Sequence, residues 1–128
     1  MSESGDGPVT QDEPDGALDW QALQALREEL EDPGDTFLRR LVAGFEEHSA
    51  EAVAAMHDAA RRGDRQGLRL AAHSLKGSSA QLGGTRLPAM CAQLEHDDSP
   101  PDELSRRIHL ADAELGRLRA ELRRFLVT

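Results

Sequence analysis

A histidine and a lysine stand three residues apart in the middle of the chain, at His73 and Lys76. Of the 15 lysine and arginine residues, Lys76 is the only lysine. Residues at this spacing lie on one face of a helix. Neutral imidazole is a nucleophile available near pH 7, and an ammonium group can follow a phosphoryl group as a mobile point charge. The pair therefore points to a nucleophile that handles an anionic group.

A glycine, Gly77, follows the lysine and would lie inside the same helix. Glycine in a helix interior costs about 1 kcal/mol relative to alanine, so we expect a local reason for it. On the face of His73, a missing side chain would let another molecule approach closely. The sequence therefore predicts a docking surface beside the histidine.

The helical period divides this segment into two faces. Because each residue advances by about 100°, the residues that can fill a core fall opposite His73. These core candidates are Leu68, Ala71, Leu75, Ser78, Ser79 and Leu82. The near face, which we predict to be the docking surface, carries Gln66, Arg69, Leu70, Gly77 and Ala80 beside Lys76. His73 is thus expected to be accessible to solvent.

Composition excludes several classes of protein. The net charge of −9 argues against nucleic acid as the main partner, because phosphate backbones require a basic footprint. The single cysteine, Cys91, excludes an intramolecular disulfide and fits a reducing compartment. No apolar run approaches the roughly 20 residues that cross a bilayer, and the first residues do not resemble a signal peptide. We therefore expect a cytoplasmic protein that does not associate with membranes.

The chain divides into a tail and one domain. Residues 1–17 are predicted to form a disordered acidic tail, because they combine acids with glycine and proline and lack lysine and arginine. Residues 18–128 are predicted to form one domain rich in the helix-favouring residues Ala, Leu, Glu and Arg. Apolar periodicity and helix breakers predict five helices, at residues 18–30, 36–62, 65–82, 85–96 and 102–126.

These elements predict an all-α architecture. Short connections make neighbouring helices antiparallel, so the last four helices would form an up-down four-helix bundle. The shorter first helix would cap one end of that bundle. The last helix carries a sustained heptad seam of Leu104, Ile108, Ala111, Leu115, Leu118, Leu122 and Phe125.

The segment that starts at His73 resembles the hallmark of histidine-containing phosphotransfer (HPt) domains of phosphorelays. That hallmark is His-x-Leu-Lys-Gly, followed by small residues and a glycine, and it stands complete from His73 to Gly83. The likeness covers about residues 18–126. It includes Leu18-Asp19-Trp20, Phe45, Gly63-Asp64, Arg86-Leu87 and Leu94-Glu95.

The resemblance implies a four-helix bundle with one phosphorylatable histidine. His73 would accept a phosphoryl group from a receiver-domain aspartate or a kinase and pass it to another receiver aspartate. Lys76 would steady the phosphoryl oxygens, and Gly77 would give the receiver room. The implied partners are response-regulator receiver domains and a sensor histidine kinase, hybrid or otherwise. The chain would be a monomeric phosphocarrier without catalytic activity, metal or cofactor of its own, and Mg²⁺ would belong to the receiver.

Two other functions stay open. The chain could be a helical adaptor that binds a partner through the heptad seam of its last helix and performs no chemistry. It could instead be the phosphoacceptor domain of a larger chemotaxis-type histidine kinase. Acid-labile, base-stable phosphate on His73 would distinguish the carrier from the adaptor. A gene that extends beyond Thr128 would favour the kinase domain.

Overall fold

The computed structural model describes residues 16–128, which contain five α-helices. They are α1 (Trp20–Leu30), α2 (Thr36–Arg62), α3 (Arg65–Gln81), α4 (Leu87–Glu95) and α5 (Pro101–Leu126). The described residues form no strand beyond one isolated bridge between Leu18 and Gly84, so the all-α prediction is confirmed. None of the five helices is both long and apolar enough to cross a membrane.

The predicted helix bounds differ from the observed ones mainly at two starts. Helix α1 begins two residues late because Asp19 caps it, accepting a hydrogen bond from the N–H of Ala22 at 3.1 Å. Helix α4 begins at Leu87, because the N–H of Thr85 donates to the carbonyl of Ala17 at 3.0 Å. The other bounds agree within one residue.

The predicted acidic tail, residues 1–17, lies almost entirely outside the described residues. Its last two residues are described. The carbonyl of Gly16 accepts a hydrogen bond from the hydroxyl of Thr85, and Ala17 is 1% exposed within the core. The disorder expected for the preceding segment stays a prediction.

The core is built from the apolar faces of the helices. All members of the α5 seam are buried, namely Leu104, Ile108, Ala111, Leu115, Leu118, Leu122 and Phe125. They pack with buried residues of α2, α3 and α4 in one cluster. The interface that the adaptor hypothesis requires is therefore already covered by this chain's own helices.

Helices α2 to α5 contact each other in pairs. Helix α3 packs against α2 and α4, and α5 packs against the same two helices. Helix α1 reaches α5 through Trp20, whose ring meets Phe125 edge-on at a centroid distance of 5.4 Å. The indole N–H donates to the buried carboxylate of Glu121 at 2.8 Å, which satisfies both groups.

Two glycines end the helix that carries His73. Gly83 has a φ of +87°, in the left-handed region that L side chains rarely adopt. The N–H of Gly84 donates to the carbonyl of Ser79 at 2.8 Å and satisfies a terminal carbonyl. A Cβ at Gly84 would lie 2.9 Å from that same oxygen. The turn into α4 therefore depends on both glycines.

Candidate functional site

Helix α3 presents His73 on the outside of the bundle. The helix is capped by Asp64, whose carboxylate accepts a hydrogen bond from the N–H of Gly67 at 2.9 Å. Its inner face buries Leu68, Ala72, Leu75 and Ser79. His73 points away from this face, and its side chain is 67% exposed. The imidazole is thus open to another molecule.

One carboxylate, that of Glu95 at the end of α4, contacts both His73 and Lys76. Its Oε1 accepts a hydrogen bond from Nδ1 of His73 at 3.2 Å. Its Oε2 lies 2.6 Å from Nζ of Lys76, and its side chain is only 9% exposed. Glu95 therefore fixes the imidazole and the ammonium group relative to each other.

The charge state of Glu95 determines the tautomer of the histidine. The hydrogen bond from Lys76 lowers the pKa of Glu95, and the hydrogen bond from His73 adds to this against the opposing effect of burial. Glu95 is therefore ionised at neutral pH. Because an ionised carboxylate only accepts hydrogen bonds, Nδ1 of His73 carries the proton. The lone pair of the neutral ring is then on Nε2, the nitrogen that can act as a nucleophile.

The opposite flank of His73 is tied to α2. The hydroxyl of Ser74 lies 2.9 Å from Nε2 of His48, a residue of α2. A groove of about 260 Å³ continues from His48 between α2 and α3. Its lining is mostly apolar and consists of Arg40, Leu41, Gly44, Phe45, His48, Ser78, Gln81 and Leu82.

The residues predicted to surround His73 lie on the surface of the bundle. Gln66, Arg69, Leu70, Gly77 and Ala80 are all exposed, and Leu70 at 60% is a large apolar side chain open to solvent. A Cβ built on Gly77 would meet no other described atom within 4 Å. Internal packing therefore does not require a glycine at this position.

The buried thiol of Cys91 lies one turn before Glu95 on α4. Burial raises its pKa to about 12, and the charge of Glu95 adds to the rise. The thiol therefore stays protonated, and a thiol in that state is a poor nucleophile. Among these neighbouring side chains, the exposed imidazole is the group suited to nucleophilic attack.

Glu95 is the site residue that the sequence analysis did not assign. It lies 22 positions from His73 and on another helix, so no local spacing connects the two. One signal is present in the sequence, because Glu95 is the only charged residue of α4. A single acid at the end of an otherwise uncharged helix is a reason to look for a cationic partner.

A comparison with models of protein families identifies a match. A family model described as "Hpt domain" matches residues 40–125, more than half of the chain. The matched segment runs from the second turn of α2 to the last turn of α5 and contains His73, Lys76 and Glu95. No curated protein and no solved structure matches the chain.

Proposed function

Because the chain belongs to the Hpt domain family, we propose that it carries phosphoryl groups on His73 between the proteins of a two-component phosphorelay. Hpt domains take part in phosphotransfer in such relays and interact with histidine kinases and receiver domains. In this proposal His73 takes the group from a receiver aspartate or a kinase and gives it to another receiver aspartate. The proposal rests on one observation. The imidazole of His73 is exposed and its Nδ1 is hydrogen-bonded to Glu95, so Nε2 is the nitrogen that remains free to react.

The transfer proposed for His73 is a single displacement at phosphorus. The lone pair of Nε2 attacks the phosphorus of an aspartyl phosphate, and the N–P bond forms. The P–O bond to the aspartate breaks, and its electron pair leaves with the carboxylate. Nδ1 keeps its proton, so the phosphorylated ring carries a formal positive charge. The ionised carboxylate of Glu95, 3.2 Å from Nδ1, is well placed to stabilise that charge.

Lys76 is proposed to steady the phosphoryl oxygens. Its ammonium group has three donors, so it can add a phosphoryl oxygen to its ion pair with Glu95. Phosphoryl transfer depends mainly on positioning and charge stabilisation, and a fixed cation beside the acceptor supplies part of both. We propose no cofactor for this chain and assign Mg²⁺ to the partner receiver.

The receiver is proposed to dock on the surface around His73. Gln66, Arg69, Leu70, Gly77 and Ala80 are exposed on that face, and the groove between α2 and α3 continues from it. The bare backbone at Gly77 allows the partner to approach the imidazole. Leu70 and Ala80 supply apolar contacts beside it.

We further propose an antiparallel up-down bundle of α2–α5 with α1 packed across one end. The pairwise contacts of these helices and their short connections support that arrangement. We propose that the bundle acts as a monomeric, cytoplasmic phosphocarrier without catalytic activity of its own.

Incubation with a phosphorylated receiver domain and Mg²⁺ tests the proposed acceptor. We expect label on the wild-type chain that is labile in acid and stable in base, and none on His73→Gln. The variant His96→Gln, at an exposed histidine after α4, is the matched control and should label like wild type. Equal labelling of wild type and His73→Gln would refute the assignment.

A further inference from the structure

Two other histidines face each other where α2 and α5 pack together. The rings of His57 and His109 have centroids 4.5 Å apart and are inclined by 49°. Within residues 16–128, the hydrogen bonds made by imidazole nitrogens belong to His48 and His73, so the nitrogens of this facing pair are free of described partners. The pair lines an open cleft of about 520 Å³ together with Ala54, Ala60, Arg61, Pro101, Asp102 and Ser105.

We propose that His57 and His109 bind a divalent transition-metal ion such as Zn²⁺ between α2 and α5. Imidazole nitrogen is a preferred ligand of Zn²⁺, Cu²⁺ and Ni²⁺. A tetrahedral Zn²⁺ with Zn–N bonds of about 2.0–2.1 Å holds two nitrogens roughly 3.3 Å apart. Rings with centroids 4.5 Å apart can present one nitrogen each at that separation after side-chain rotation.

The protein supplies two ligands to this ion, and water completes the coordination. Among residues 16–128, no group of three or more histidine, cysteine, aspartate and glutamate side chains is arranged to hold a metal. The cleft at the histidine pair is open and has room for water molecules beside the ion. The site is therefore expected to bind metal reversibly, unlike a closed structural site with four protein ligands.

The charges around the cleft are compatible with a cation. Asp102 lines the cleft, and the carboxylate of Asp112 acts on His57 from one turn beyond His109. Arg61 is the only lysine or arginine among the described lining residues, so two carboxylates stand against one guanidinium near the cleft.

A metal ion at this position would link two helices that are far apart in sequence. Because the two ligands meet only when α2 packs against α5, the ion would bind the folded chain and stabilise it. The site lies on helices other than the one that carries His73. Metal binding is thus independent of the proposed phosphotransfer.

Calorimetric titration of the untagged full chain with ZnCl₂ tests this proposal. We expect one ion per chain, and a Tm higher by on the order of 10 °C when free Zn²⁺ is about 100 times its Kd. His57→Gln and His109→Gln should each weaken binding roughly tenfold or more, because loss of one ligand removes chelation. His73→Gln and His96→Gln should bind like wild type.

Imidazole ¹⁵N spectra of the wild-type chain give a second readout that does not depend on variants. Addition of Zn²⁺ should shift the signals of His57 and His109 together and leave His73 unchanged. Absence of binding by the wild-type chain would overturn the proposal. Binding that survives in either His57→Gln or His109→Gln, or that disappears in His73→Gln, would overturn it as well.

Discussion

Glu95 contacts the imidazole of His73 and the ammonium group of Lys76 with one carboxylate. Its two oxygens are divided between Nδ1 of His73 at 3.2 Å and Nζ of Lys76 at 2.6 Å. This division prevents Nδ1 from acting as the nucleophile and holds the ammonium group beside the ring. The residue that we propose to set the chemistry of the site is therefore on α4, outside the His73–Lys76 motif on α3.

Glu95→Gln tests that role at the scale of one residue. The amide keeps the size of the side chain but removes the negative charge that we propose stabilises the phosphorylated ring. We expect phosphoryl transfer to His73 to slow at least about tenfold, equivalent to about 1.4 kcal/mol in the barrier. Rapid-quench measurement of the transfer from a phosphorylated receiver would give the rate.

The tautomer of His73 shows whether Glu95→Gln acts by releasing the imidazole of His73 or by damaging the fold in general. Imidazole ¹⁵N shifts should show the proton on Nδ1 in wild type and a mixture of tautomers in Glu95→Gln. Glu51→Gln, at an exposed position on α2, should change neither the rate nor the tautomer. A wild-type rate in Glu95→Gln would show that the carboxylate is not needed.

At the scale of the helix, Gly77 lowers the stability of α3 without an internal reason. A Cβ there would meet no described atom within 4 Å, and the same holds for Gly116 in α5. We expect Gly77→Ala and Gly116→Ala each to raise the free energy of unfolding by about 1 kcal/mol, the cost of glycine in a helix. Urea unfolding followed by circular dichroism at the helical band measures both.

Larger side chains at the same two positions distinguish folding from function. Gly77→Gln should slow phosphoryl transfer, because the added side chain stands between His73 and the receiver, while the helical signal is kept. Gly116→Gln should leave transfer unchanged. If Gly77→Gln transfers at the wild-type rate, the open backbone at this position has no part in docking.

The helices themselves could be predicted from the sequence, since apolar periodicity and Gly or Pro breakers are local signals. The start of α4 could not, because Thr85 is held by Ala17, which is far away in the chain. The same limit applies to Glu95, which reaches His73 from another helix. His57 and His109 are far apart in the sequence, and their proximity arises only from the packing of α2 on α5.

At the scale of the whole molecule, acidic side chains of α4 and of the α4–α5 connection pair with groups on neighbouring helices. Asp97 in the α4–α5 connection accepts a hydrogen bond from the N–H of Ser99 and pairs with Arg107 at 2.6 Å, with its side chain 5% exposed. Burial alone would raise the pKa of Asp97, but the hydrogen bonds from Ser99 and Arg107 outweigh it and lower the pKa. The pKa of Glu95 is lowered as well, chiefly by Lys76.

These lowered pKa values make stability depend on pH. The folded chain keeps the two carboxylates ionised to lower pH than the unfolded chain does, whose ordinary values are 3.8 for Asp and 4.5 for Glu. Their contribution is therefore present above those ordinary values and is lost as the pH falls through the lowered ones. We expect the free energy of unfolding to decrease over this acidic range.

Urea unfolding at a series of pH values from neutral to about 3 measures the decrease. The variant Asp97→Asn cannot titrate at this position, so its stability should be lower at neutral pH and should fall less steeply on acidification. Asp98→Asn, at the exposed neighbouring position, is the control and should follow the wild-type curve. Parallel curves for wild type and Asp97→Asn would contradict the assignment.

The solitary lysine has a practical consequence for work in solution. Apart from the amino terminus, Lys76 is the only amine that an acylating reagent can modify, so peptide mapping after brief labelling reports on one known position. An ammonium group held 2.6 Å from a carboxylate is shielded from acylation, and its labelling rate would measure how often that contact opens. The chain thus contains its own chemical reporter for a receiver arriving at the site, without any engineered cysteine or dye.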